Sequence, residues 1–146
     1  MSTPGPTSAA APGYAEDFAR HWAQLPRKPL LGALLLAWLA FFHLLGNSTL
    51  GYINTPSLFS WLNYAYQNGV DDEHGYYLPL VVLGLLWWKR AELSAVPKRV
   101  WWPALALVAL ALLLHAAGFL VQQTRVSVVA FYGGLYALTG LVWGAA

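Results

Sequence analysis

Apolar and polar positions alternate in long blocks along this chain. No charged residue occurs from Pro29 to Val70. Within that stretch, Leu30 to Gly46 (LLGALLLAWLAFFHLLG) has 17 residues and meets the lower limit for crossing a hydrocarbon layer of about 30 Å. A polar segment, Asn47 to Asn54, follows. Thr55-Pro56 then reads as an N-cap with proline at the first helical position. Leu58, Trp61, Leu62 and Ala65 recur at helical spacing, and Asn68-Gly69 supplies a stop. This pattern predicts a short helix lying in the membrane interface. Tyr76 to Trp88 is apolar but short; extended from His74 to Leu93 it reaches about 30 Å as a single rod, with Lys89 and Arg90 snorkelling at one end. Trp101 to Val121 opens with Trp-Trp-Pro, Pro103 falling in the first helical turn, where its missing N–H costs little. Val126 to Ala146 carries Gly133-Gly134 and Gly140, which permit close helix approach. Upstream, Phe18, Trp22 and Leu25 share one face of a short surface helix that Pro26 ends. Met1 to Ala15 is rich in Pro, Gly, Ser, Thr and Ala and reads as a disordered tail.

The expectation is an all-α polytopic membrane protein: a tail over 1–15 and one membrane domain over 16–146. Its four spans are placed at about 30–46, 74–93, 101–121 and 126–146. Composition agrees. Hydrophobic residues make up 58% and charged residues 10%, against about 25% charged in a soluble domain, so the partner expected first is the lipid bilayer. A net charge of +2 is too small and too scattered for nucleic-acid binding. Lys and Arg cluster before the first span and between the second and third. Asp71, Asp72 and Glu73 lie between the first and second. The positive-inside rule therefore puts the N-terminus in the cytoplasm and the acidic loop outside, in an inner (plasma) membrane.

There is no cysteine, so no thiolate nucleophile or thiolate metal site exists in these residues. No cofactor and no metal site is expected. Under this topology His43, His74 and His115 approach the outer leaflet. His43 and His115 read as histidines hydrogen-bonded to neighbouring helices; the competing reading makes them axial haem ligands across a four-helix bundle. Asp72-Glu73-His74-Gly75 joins acids, an imidazole and a flexible residue at the bilayer edge. Nearby carboxylates would favour the charged imidazole, although an acidic loop also suits a helix N-terminus with no further role. Asn47-Ser48-Thr49 matches a glycosylation acceptor. Trp61, Tyr64, Tyr66, Tyr76 and Tyr77 fit an interfacial belt or a stacking surface.

The stretch from Glu73-His74-Gly75 through Leu78-Pro79-Leu80 to Trp87-Trp88-Lys89-Arg90 resembles the exosortase/archaeosortase family. In that family a His-Gly, an apolar segment with a Pro, a Trp and a basic pair follow in this order; Glu73 stands where Ser is frequent. The resemblance implies an envelope protease or transpeptidase that cuts C-terminal sorting signals of exported proteins, with a Cys as nucleophile and an Arg and a His assisting. None of those catalytic residues carries over here. The motif residues are Glu73, His74, Gly75 and Pro79. The chain is expected to be an incomplete N-terminal half, inactive alone; a non-catalytic membrane subunit is the other reading.

Overall fold

The computed structural model describes residues 13–50, 53–69, 73–95 and 98–144. Among them the regular elements are all helical: α1 (Tyr14–Gln24), α2 (Lys28–Leu45), α3 (Leu58–Asn68), a 3-10 turn (Glu73–Tyr76), α4 (Leu78–Trp88), α5 (Arg90–Ala95), α6 (Ala104–Leu120) and α7 (Thr124–Trp143). The expected tail lies outside the described residues up to position 12, and α1 already begins at Tyr14.

α6 and α7 form a tight antiparallel hairpin. Its turn places Gln122 in the left-handed region at φ 56°, and the Gln123 N–H donates to the Gly118 carbonyl at 2.8 Å, closing the end of α6. α2 packs on α7. Trp38, Phe42, Leu58, Ala111, Ala130, Phe131 and Leu138 form the core. Small residues decide how close the helices come. A Cβ at Gly134 would lie 1.9 Å from the Trp38 ring, whereas Gly133 faces open space. The Trp38 indole N–H also donates to the Phe131 carbonyl at 3.1 Å, so its ring is both packed and hydrogen-bonded inside an apolar core.

Among the described residues two helices, α2 and α7, are long and apolar enough to cross a membrane, and α6 is apolar and slightly shorter. The expected rod over 74–93 is not formed. It is divided into the 3-10 turn, the 11-residue α4 and the 6-residue α5. α4 is only about 16 Å long, short of the hydrocarbon thickness. Local chemistry sets the first break, and a contact with α1 holds the second. Pro79 occupies the first turn of α4, where a missing N–H is tolerated. At the other end, the Lys89 N–H bonds the Leu85 and Trp87 carbonyls and ends the helix. Arg90 does not snorkel freely. Its guanidinium donates to Asp17 on α1 at 2.8 Å and to the Trp87 carbonyl at 2.9 Å, and stacks over the Trp87 ring at 4.4 Å. No residue of α4 is buried.

Cationic residues gather at one end of this arrangement. The Trp143 indole donates to the Pro26 carbonyl at 2.9 Å, which joins the end of α7 to the α1–α2 junction. The Trp101 N–H donates to Leu141 beside Lys98 and Arg99. With the Asp17–Arg90 pair, these contacts bring every Lys and Arg except Arg125 to the α1 end.

Candidate functional site

The turn that carries the motif packs against α3. The 3-10 turn carries Glu73, His74 and Gly75, and Pro79 follows at the start of α4. The Tyr77 N–H closes the turn on the His74 carbonyl at 3.1 Å. The Tyr76 hydroxyl donates to the Asn63 side-chain oxygen at 2.7 Å, and the Tyr66 and Tyr76 rings meet edge to face at 5.0 Å. Gly75 matters by close approach: a Cβ there would sit 2.2 Å from the Tyr66 ring. The sequence suggested a flexible residue at this position; the structure uses its small size. Gly75→Ala is expected to push the Tyr66 ring off Tyr76 at a cost of about 1 kcal/mol, read as a lower midpoint in thermal unfolding.

The imidazole of His74 is exposed at the rim of a shallow depression lined by Tyr66, Gln67, Tyr76 and Tyr77. Hydroxyls, an amide and an imidazole therefore surround one opening at the head of the exposed apolar α4. Such a set can hydrogen-bond an extended peptide backbone while the helix beyond it meets hydrocarbon. Asp71, Asp72 and the side chain of Glu73, which the sequence paired with this imidazole, lie outside the described residues.

A second polar centre was not foreseen. Asn47 is buried and acts as a hub. Its amide donates to the Thr55 carbonyl at 2.7 Å. Its oxygen accepts from the Thr49 N–H, the Thr49 hydroxyl and the Thr124 hydroxyl at 3.0, 2.7 and 2.9 Å. This latch closes the loop after α2 on the start of α7. The Asn-Ser-Thr run thus reads better as a structural staple than as a sugar acceptor, since its amide is consumed internally. The latch also shifts the expected helix start. Ser57, not Thr55, caps α3, its hydroxyl accepting the Ser60 N–H at 3.3 Å, while the Thr55 hydroxyl accepts the Ser57 N–H.

His43 and His115 both bond serine hydroxyls, as the hydrogen-bonded reading expected. His43 Nδ1 lies 3.0 Å from the Ser57 hydroxyl and buried His115 Nδ1 lies 2.9 Å from that of Ser127 on α7. The rings of Phe41, Phe42 and Phe119 pack on His115 with centroids at 5.3, 4.7 and 5.9 Å. Both Nδ1 atoms are engaged by serines and aromatic rings enclose His115, so this geometry does not favour haem ligation. α3 runs between His43 and the His74 turn: its cap, Ser57, touches His43, and its Asn63 and Tyr66 hold the turn of His74.

The model of a known family, the transmembrane exosortases (Exosortase_EpsH), matches residues 61–146, more than half of the chain. The chain belongs to the transmembrane exosortase family. It is accordingly a membrane protein. The matched region of this exosortase-family chain takes in the body of α3, the His74-Gly75 turn, α4, α5 and the α6–α7 hairpin. The Asn47 hub and His43 stand before it. No curated protein and no solved structure matches the chain.

Proposed function

We propose that this exosortase-family protein spans the inner membrane several times and receives the C-terminal sorting signals of exported envelope proteins at the His74-Gly75 corner. The observation that carries this reading is the position of an exposed imidazole. It stands among Tyr66, Gln67, Tyr76 and Tyr77 at one end of apolar α4, with the paired cations Lys89 and Arg90 at the other. A sorting signal of short motif, apolar helix and basic tail has the same sequence of chemistries. In this reading the corner faces the envelope side and the cationic end faces the cytosol, with the bilayer thinned around the short α4. His74 and its hydroxyl neighbours hold the peptide backbone near the cleavage point. With no cysteine among the 146 residues, a thiolate nucleophile has to come from outside them, and the role of this chain is binding and orientation.

The test is processing of a reporter that ends in a sorting signal. His74→Ala, at an exposed position, is expected to leave the protein level unchanged. Loss of one well-placed hydrogen bond should lower processing about tenfold. Unchanged processing would remove the corner from the substrate path.

A further inference from the structure

The first helix is fastened to the protein by its acidic side and leaves its aromatic side uncovered. Asp17 is held by Arg90 at 2.8 Å. Tyr14, Phe18 and Trp22 follow at intervals of four and are 82%, 55% and 50% exposed. Phe18 stacks on Trp22 at 6.1 Å and reaches Trp87 at 6.3 Å, so the stripe continues onto the end of α4. Lys28 lies over the Trp22 ring at 5.5 Å. Trp88, next to Trp87 in the chain, is also exposed.

The charge around this stripe has one sign in excess. Arg20, Arg27, Lys28, Lys89, Arg90, Lys98 and Arg99 face three carboxylates, Glu16, Asp17 and Glu92. Asp17 is paired to Arg90, and Glu92 bonds Lys89 at 2.8 Å. Arg20, Arg27 and Arg99 are exposed. A helix with an aromatic face, an opposite polar face and surrounding cations lies in the plane of a bilayer surface and is attracted by anionic headgroups.

We propose that α1 is a strap that binds an anionic lipid surface. The Tyr14–Phe18–Trp22 stripe beds at the headgroup boundary, Arg27 and Lys28, the latter over the Trp22 ring, meet lipid phosphates, and the Asp17–Arg90 pair ties the docked helix to the α4–α5 junction. This inference rests only on the chain being a membrane protein; it does not depend on sorting signals, on the side the corner faces, or on the number of spans.

Because the chain has no cysteine, a single Tyr14→Cys substitution carries a unique environment-sensitive label. The full-length protein is placed in lipid discs of phosphatidylcholine alone, or of phosphatidylcholine mixed with phosphatidylglycerol. Discs expose both faces, so orientation does not affect the readout. In the mixed discs the label is expected to shift to the blue and to resist quenching by neutral acrylamide. In phosphatidylcholine discs, or at high salt, it is expected to be quenched. Each cation near an anionic surface shifts such an equilibrium about fivefold, so Arg27→Gln with Lys28→Gln should weaken docking roughly twentyfold. Equal quenching in both lipids would overturn the proposal. So would equal protection in both that survives the double substitution, because apolar insertion alone would then hold the helix. Processing of the sorting-signal reporter is a separate readout, and its failure would leave this one intact.

Discussion

Adding one methyl group at position 134 is expected to unseat Trp38, while the same methyl at position 133 is expected to be harmless. In Gly134→Ala the new Cβ would fall 1.9 Å from the indole, far inside contact distance. The ring belongs to a well-packed core with Phe42 and Phe131 and cannot turn aside without abandoning its hydrogen bond to the Phe131 carbonyl. Overpacking typically costs 1–3 kcal/mol, and losing the seated tryptophan adds to it, so a loss of about 3 to 4 kcal/mol is expected. Gly133→Ala meets nothing within 4 Å and replaces a poor helix former with a good one, so it should be neutral or slightly stabilising. Reversible unfolding in detergent, compared for the two variants side by side, checks the contrast. Equal effects would mean that α2 does not pack on α7 through this glycine.

Asn47→Ala is expected to be the most damaging polar substitution. It removes one side chain that serves four hydrogen bonds. The Thr55 carbonyl, the Thr49 N–H and the Thr124 hydroxyl lose that partner in a partly or fully buried setting. At about 1 kcal/mol for each group left unsatisfied, the loss is about 3 kcal/mol. Thr124→Ser keeps the hydroxyl and should retain most of the stability. The same unfolding measurement decides it. A loss no greater than that of an exposed substitution would mean that water or lipid headgroups satisfy these groups as well as the latch does.

The parts of the fold that were legible in the sequence are those governed by local pattern. The apolar runs of α2, α6 and α7 announce themselves, because a helix must be apolar over most of its length to stand in hydrocarbon. The glycine doublet at 133–134 was legible as a close-approach signal. Which of the two glycines meets Trp38 depends on the rotation of α7 against α2, and that is set by the whole core. The stop at Asn68-Gly69 was readable; the shift of the α3 cap from Thr55 to Ser57 was not, since both residues have the right chemistry and the latch chooses between them.

The stretch from His74 to Leu93 shows where local pattern misleads. Its hydropathy permits a rod with snorkelling cations. The break at Lys89 and Arg90 is stabilised by Asp17, more than seventy positions earlier, and no window on the sequence contains both partners. The candidate corner was found by its order of residues, but Gly75 and the Tyr66–Tyr76 pair acquire their meaning only when α3 lies beside the turn. Asn47 was visible only as a modification pattern, because its partners Thr55 and Thr124 come from separate elements.

Single-cysteine labelling from outside the cell puts the proposed arrangement at most direct risk. With a chain free of cysteine, Tyr77→Cys marks the exposed corner and Trp102→Cys marks the cationic end. A membrane-impermeant maleimide, given access to the outer face of the inner membrane, should modify position 77 at once. It should reach position 102 only after the inner membrane is opened. Prompt labelling of position 102, with position 77 protected until the membrane is breached, would contradict the proposed orientation and take the substrate-receiving role of His74 with it.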